Sequence, residues 1–190
     1  EQDMPFYQNA DVFKWLTSQL REDEEQNLRM GIPKSFTQIC ADSIQLTRDG
    51  RAKGTPLLAV LKADVDRMGR LFSEGLEKAK ASLSYYISLS RDLDRFFRGI
   101  VPNMLLNPPP DHPDFRNIYT VYAGGDDLLV VGPWRTVLRF AICLQSQFRQ
   151  YVCHHPDMTL SAGIAVCHNR FPLAQAAEEA EAALGKAVSV

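Results

Sequence analysis

The chain has 190 residues, 45% of them hydrophobic, which is enough for one domain with a buried core or one domain with an appendage. Its formal net charge of −2 excludes a bulk basic field, so any nucleotide or nucleic-acid contact has to be local. Four cysteines without a C-x-x-C spacing indicate small buried side chains in a reducing compartment rather than a zinc site or a disulfide frame. No apolar stretch reaches membrane-spanning length and no signal peptide begins the sequence, so we expect a cytoplasmic protein without a membrane partner.

The N-terminal part of the chain has a helical pattern. Residues 5–46 carry apolar side chains at helical spacing, and Ser35 is placed to cap a helix within this segment. Residues 47–56 are polar and contain glycine, which predicts a linker. We therefore expect a helical extension and linker over residues 1–53 and a folded domain over residues 54–190.

A short apolar run followed by acidic residues is the first motif. Residues 57–63 are nearly all apolar, which is typical of a buried central strand. Asp64 and Asp66 follow at i, i+2 spacing, which places both side chains on one face of an extended backbone. The Val65 carbonyl offers a further oxygen where the strand ends. A helix N-cap before Arg67 is the alternative role of either carboxylate.

A Gly-Gly-Asp-Asp sequence between two apolar runs is the second motif. Residues 118–123 and 128–132 predict the strands of a hairpin, with Gly124 to Asp127 at its tip. The two glycines allow a tight turn and a close approach to a ligand. Because adjacent carboxylates repel each other unless a cation joins them, Asp126 and Asp127 indicate either a metal site or a plain polar turn.

The remaining elements complete a recognisable order. A helix is expected after the first strand, then a long helical stretch that ends at the proline-rich residues 107–113. Helices over residues 133–151 and 172–186 flank a strand over residues 158–167. The order β-α-β-β-α-β predicts an α/β fold of the α+β type, a ferredoxin-like palm whose antiparallel sheet carries helices on one face, with the N-terminal helical extension added.

This arrangement places the first strand beside the hairpin, so Asp64 can meet Asp126 and Asp127. Carboxylate and carbonyl oxygens are the hard ligands that Mg²⁺ and Mn²⁺ prefer. Palm folds with such residues carry out nucleotidyl transfer, in which one ion activates a ribose hydroxyl and a second ion binds the triphosphate. We therefore predict that Asp126 and Asp127 are catalytic and that Asp64, Val65, Asp126 and Asp127 bind two metal ions.

Backbone and basic groups near these motifs can contact the phosphates of a nucleotide. A helix opens after the first strand, and its free N–H groups can hold phosphate oxygens. A lysine in the last helix can also reach a phosphate, although a solvated lysine near a helix C terminus is the alternative. The predicted nucleotide-binding residues are Met68, Gly69, Arg70, Gly124, Gly125 and Lys186.

Taken in order, these motifs resemble the second palm domain of the large subunit of type III CRISPR effector complexes, the Csm/Cmr large subunit. The resemblance covers about residues 28 to 190. The segments that carry it are residues 58–66, 68–69, 89–91, 96–97, 118–127, 131–134, 159–164 and 176–181. It implies a palm that converts ATP into cyclic oligoadenylates, a second messenger of antiviral defence, when the complex binds target RNA.

The resemblance also implies partners and has limits. The partners are other effector subunits, guide RNA, target RNA and a second palm domain, since two nucleotide sites must face each other; a homodimer is another way to supply the second site. Tyr85 stands where many members carry an arginine after a serine, and no His-Asp nuclease motif, zinc ribbon or first palm is present. We therefore expect a fragment of such a subunit, inactive or weakly active by itself.

Two alternatives stay open. A GGDEF-type diguanylate cyclase acting on GTP shares the strand order and the first-strand acid, but Asp127-Leu128 stands where that family has Glu-Phe. That family's inhibitory Arg-x-x-Asp site is also missing just before Tyr122. The other alternative is a catalytically silent scaffold palm that holds neighbouring subunits and guide RNA.

Overall fold

The computed structural model of the chain describes residues 34–46, 52–66, 68, 83–110 and 114–188. The helices predicted before residue 34 and directly after the first strand lie outside these residues. The described elements are helix α1 (Phe36–Ala41), strands β1 (Gln45–Leu46), β2 (Ala52–Lys53) and β3 (Leu58–Val65), helix α2 (Leu83–Arg95), a π-helical turn (Phe96–Ile100), helix α3 (Val101–Leu106), strands β4 (Tyr119–Gly124) and β5 (Asp127–Pro133), helix α4 (Trp134–Tyr151), strand β6 (Leu160–Cys167) and helix α5 (Leu173–Val188).

Strands β3 to β6 form one antiparallel sheet in the order β4-β5-β3-β6. This is the strand order of the split βαβ unit, so the predicted fold class is confirmed. Strand β3 lies in the middle, paired with β5 on one side and β6 on the other. A central strand that is covered on both faces explains the nearly continuous apolar run in its sequence.

The first face of the sheet packs against helices α2, α3 and α4 through an aromatic core. From β3 it takes the alternate residues Ala59, Leu61, Ala63 and Val65. The Phe96 ring lies 5.1 to 5.3 Å from the rings of neighbouring aromatic side chains, measured between centroids. The phenylalanines of this core that are fully buried are Phe96, Phe97, Phe115, Phe140 and Phe148.

The second face is covered by helices α1 and α5 with smaller side chains. Ile39 of α1 and Ala180 of α5 pack there against Val60 of the central strand. Helix α5 lies directly on Gly163, where an added Cβ would be 2.0 Å from the Ala180 carbonyl oxygen. The expectation of helices on one face therefore holds for α2 to α4 and is corrected for α1 and α5. Because β3 is apolar on both sides, its second face also has to be covered.

The segment before β3 departs from the predicted helix and linker. The capping box is present, since the Ser35 N–H donates to Gln38 Oε1 at 2.7 Å and the Gln38 N–H to Ser35 Oγ at 3.4 Å. Helix α1 nevertheless ends at Ala41, and beyond it the Ser43 hydroxyl donates to the Leu57 carbonyl at 3.0 Å. Strands β1 and β2 then pair where helix and linker were expected. The domain boundary at residue 54 stays a prediction.

The second half of the chain follows the predicted order with boundaries shifted by one or two residues. Pro133 ends β5 and forms the N-cap of α4 instead of lying in its first turn. The predicted strand and last helix are present as β6 and α5. Within the described ranges, no helix is long and apolar enough to cross a bilayer.

Candidate active site

Two carboxylates face each other where the central strands end. Asp64 of β3 is the direct cross-strand partner of Asp127 of β5, so both side chains lie on the second face of the sheet. Burial, with the negative charges of Asp127 and Asp126 added to it, raises the pKa of Asp64 to about 6. Burial also raises the pKa of Asp127, which the positive charge of Lys62 opposes. The site therefore holds partly buried negative charges that lack full compensation.

The hairpin turn next to this pair is tighter than predicted. Strand β4 ends at Gly124 and β5 begins at Asp127, so Gly125 and Asp126 alone form the turn. Gly125 has a φ of +64°, which fits the glycine position of a type II′ turn and confirms the tight turn predicted from the glycines. The Val65 N–H donates to the Asp126 carbonyl at 3.3 Å, so the end of β3 holds the turn in place.

A lysine and a glutamate line the same face beside the carboxylates. Lys62 precedes Asp64 by two residues, and its Nζ donates to a carboxylate oxygen of Glu181 on α5. This hydrogen bond is the main reason that the pKa of Lys62 is raised, and the charges of Asp127 and Asp64 add to it. A cleft of about 480 Å³ opens next to them. The side chains that line it are Lys62, Tyr122, Asp127, Leu128, Leu129, Ala177, Glu178, Glu181 and Ala182.

The carboxylates fit a metal ion whose coordination is completed by a substrate, but they do not form a site in which the protein alone surrounds the ion. Among the residues that the structure describes, no group of three or more His, Cys, Asp or Glu side chains is compact enough to hold a metal. Asp64 and Asp127 form a pair, while Asp126 lies in the turn itself and acts on Asp64 through its charge. Mg²⁺ is commonly bound by one or two carboxylates together with substrate phosphates, which is the arrangement this pair allows.

The other predicted site residues do not all lie beside the carboxylate pair. Val65 ends β3 beside the turn, whereas the Met68 side chain packs against the aromatic core. Gly69 and Arg70 lie outside the described residues. Lys186 is exposed in the last turn of α5 and is not among the side chains that line the cleft.

Asp66 does not join the carboxylate pair. Its Oδ2 accepts a hydrogen bond from the Thr159 hydroxyl at 2.6 Å, and its N–H donates to the Thr159 carbonyl at 2.8 Å. Asp66 therefore connects the end of β3 to the start of β6.

Sequence reasoning missed several groups that surround the turn. Glu181 reaches the site from the last helix, and Asp94 accepts a hydrogen bond from the Gly125 N–H at 3.1 Å. Arg98 lies over Gly124, where an added Cβ would be 2.8 Å from the Arg98 Nε. Charged residues on helices resemble a solvated face in sequence, so no local pattern singled these three out.

Comparison with known proteins identifies the family of this chain. Residues 57–189 match the family model described as Cas10/Cmr2, second palm domain. The chain belongs to this family. The resemblance stated from the sequence motifs is thus confirmed over the part of the chain that contains the sheet and the Gly-Gly-Asp-Asp turn.

Relatives of this Cas10/Cmr2 palm are larger proteins. One from Methanocaldococcus jannaschii, named CRISPR system single-strand-specific deoxyribonuclease Cas10/Csm1 (subtype III-A), is 38% identical over 133 residues. That match covers 67% of this chain but 16% of the relative, so the chain spans about a sixth of the relative's length.

Solved structures give the same family. A Csm1-Csm4 cassette in complex with AMPPNP matches 77% of this chain and 23% of that chain at 28% identity, with a TM-score of 0.63. The cassette in complex with cA4 matches 76% of this chain and 22% of that chain at 28% identity, with a TM-score of 0.59.

Proposed function

We propose that this palm takes part in metal-dependent nucleotidyl transfer that joins ATP into cyclic oligoadenylate within a type III CRISPR effector complex. The observation that carries the proposal is the cross-strand pair of Asp64 and Asp127 beside the Gly125 turn, in a member of the Cas10/Cmr2 second palm family. Similar Csm1-Csm4 structures in complex with AMPPNP and with cA4 support ATP as the substrate and a cyclic product.

The residues of this chain supply the charge and the rigid frame of the reaction. Asp64 and Asp127, with Asp126 next to them, would hold Mg²⁺ or Mn²⁺ together with the triphosphate, and the bound ions would supply activation of the attacking ribose hydroxyl and stabilise the leaving pyrophosphate. With a pKa of about 6, Asp64 is mostly ionised at neutral pH although it is partly buried. The hydrogen bond from Val65 to Asp126 keeps the turn against β3.

One palm offers one half of a site that joins two nucleotides. We infer that the second half comes from another palm domain, in a complex that also contains other effector subunits, guide RNA and target RNA, and that this complex works in the cytoplasm. A homodimer that places two such turns face to face is the other source of a second half. The deoxyribonuclease activity in the relatives' name is not assigned to this chain, whose sequence contains no His-Asp pair.

The test uses the full-length subunit carrying this palm, assembled with partner subunits, guide RNA and target RNA. With ATP and Mg²⁺ or Mn²⁺, we expect Asp126→Ala/Asp127→Ala to abolish the cyclic product, while the control Asp92→Ala removes an exposed carboxylate elsewhere and leaves the product unchanged. Target-RNA-stimulated ATP turnover that survives the double substitution makes the palm a scaffold. A product formed from GTP in preference to ATP supports the diguanylate cyclase alternative.

A further inference from the structure

Helix α2 and the π-helical turn contact the Gly-Gly-Asp-Asp turn through an acid–base pair. Asp94 Oδ1 accepts a hydrogen bond from the Gly125 N–H at 3.1 Å and forms an ion pair with Arg98, whose Nε lies 2.9 Å away. One carboxylate oxygen thus connects the helix, the arginine and the backbone of the turn. Gly125 has a positive φ within the turn, so the bond is made at the point where the chain reverses.

The arginine occupies space that a side chain at position 124 would need. A Cβ on Gly124 would lie 2.8 Å from Arg98 Nε and 3.0 Å from Arg98 Nη2. The close neighbour of Gly124 is therefore the guanidinium group, which a side chain at this position would displace. This is a different reason for the glycine than the approach of a ligand, which was the sequence-based expectation.

The two side chains project from a rigid base but are not themselves buried. Phe96 and Phe97 begin the π-helical turn and are fully buried in the aromatic core, which fixes the backbone between Asp94 and Arg98. The side chains of Arg98 and Asp94 are 66% and 42% exposed. An ion pair this exposed contributes little to folding. A π-helical turn within a helix is frequently found at functional sites.

We propose that Asp94 and Arg98 are positioning residues for the turn that carries Asp126 and Asp127. The proposal rests on the proposed function. Asp94 holds the Gly125 N–H on one side of the turn, while Val65 holds the Asp126 carbonyl on the other. Without the first of these contacts the turn can rotate about the second, and the carboxylates lose the fixed spacing that a cation and a triphosphate require.

The expected kinetic changes distinguish a positioning role of Asp94 from direct contact with the substrate. In the assembled complex, Asp94→Ala is expected to lower kcat by about tenfold or more and to raise the Mg²⁺ concentration for half-maximal activity, because small displacements of catalytic groups are costly. The KM for ATP is expected to stay within about twofold, since uniform substrate binding is not removed. Asp94→Asn keeps an oxygen that accepts the Gly125 N–H, so it is expected to restore most of kcat.

A matched control lies on the same helix. Asp92 forms an ion pair with Arg95 at 3.4 Å, and both side chains are more than half exposed. The pair resembles Asp94–Arg98 in type and exposure but has no hydrogen bond to the turn. Asp92→Ala is therefore expected to leave kcat and the Mg²⁺ dependence unchanged.

A second pair of substitutions tests the role of the arginine. Gly124→Ala is expected to lower kcat because its methyl group displaces the guanidinium. The Arg98→Ala background removes the three atoms nearest to this methyl group, so Gly124→Ala is expected to have much less additional effect there, which a double-mutant cycle measures. A rise of the KM for ATP without a change of kcat in Arg98→Ala would make Arg98 a substrate contact and overturn its positioning role.

Hydrogen exchange at the Gly125 amide tests the contact without relying on activity. We expect Asp94→Ala to accelerate this exchange by about tenfold or more and Asp94→Asn to leave it near the wild-type rate, since a lost hydrogen bond exposes the amide to local opening. Unchanged exchange in Asp94→Ala, or an Asp94→Asn variant as impaired as Asp94→Ala, overturns the proposal. If Asp126→Ala/Asp127→Ala retains full ATP turnover, the proposed function fails, whereas the Gly125 exchange still reports whether Asp94 holds the turn.

Discussion

The two faces of the sheet differ in what their side chains do. The first face packs against five fully buried phenylalanines, which come from the π-helical turn, from α4 and from the segment before β4. The second face is covered by small side chains of α1 and α5 and ends in Asp64 and Asp127, whose pKa values are raised mainly by burial. Both faces bury apolar side chains that stabilise the fold, and the end of the second face also holds carboxylates whose burial opposes folding.

The central strand β3 serves both faces. Leu61 points into the aromatic core, while Lys62 and Asp64 lie on the opposite side among charged groups. Because side chains alternate along a strand, the ordered core fixes the position of carboxylates only one residue away. This difference between the two faces predicts that substitutions in the aromatic core change stability strongly. Substitutions at the end of the second face that carries Asp64 and Asp127 are expected mainly to change activity.

The largest expected effect on stability is at the centre of the aromatic core. Phe96→Ala is expected to lower the free energy of unfolding by about 3 to 5 kcal/mol, because it leaves a cavity among rings that are in contact. Urea titration measures this change. Ile142→Ala on α4 is the control, since Ile142 is 69% exposed and its loss is expected to cost no more than about 0.5 kcal/mol. Equal effects of the two substitutions would contradict the description of the first face.

The next largest effect on stability is expected where α5 contacts the second face. Gly163→Ala is expected to destabilise the fold by about 3 kcal/mol, because the new Cβ would meet backbone atoms of α5 that cannot move independently. Gly185→Ala is the control on α5 itself. A Cβ there meets nothing within 4 Å, and alanine is the better helix former by up to about 1 kcal/mol, so this variant is expected to be as stable or more stable. A neutral Gly163→Ala would mean that α5 does not lie on β6 this closely.

A smaller effect concerns the pH dependence that Asp64 imposes. Its folded-state pKa of about 6 lies above the ordinary value of 3.8, so the folded protein binds this proton more tightly than the unfolded chain does. The stability contributed by this group is complete below about pH 4 and is lost as the pH rises towards and through about 6. Without divalent metal, Asp64→Asn is therefore expected to be more stable than the wild type at pH 7.5 and closely similar at pH 4. Urea titrations at the two pH values in the presence of a chelator measure the difference, and a difference that does not change with pH would show that Asp64 carries no such strain.

Much of the sheet could be predicted from the sequence, because alternation and apolar runs mark strands directly. The pairing of Asp64 with the hairpin followed from strand order alone, as the register of β3 and β5 bears out. The contacts of Asp94, Arg98 and Glu181 could not be predicted, since they depend on how each helix is rotated against the sheet. The placement of α5 on the second face depends likewise on the space left above Gly163, which no local pattern reveals.

The most direct measurement of the central claim compares activity and stability in one preparation of the assembled complex. Asp127→Asn keeps the shape of the side chain and removes its charge. We predict that the cyclic product from ATP is lost while the Tm of the protein is unchanged or raised, because the removed charge is a partly buried one near Asp126 and Glu181. A variant that still forms the cyclic product at the wild-type rate would contradict the account.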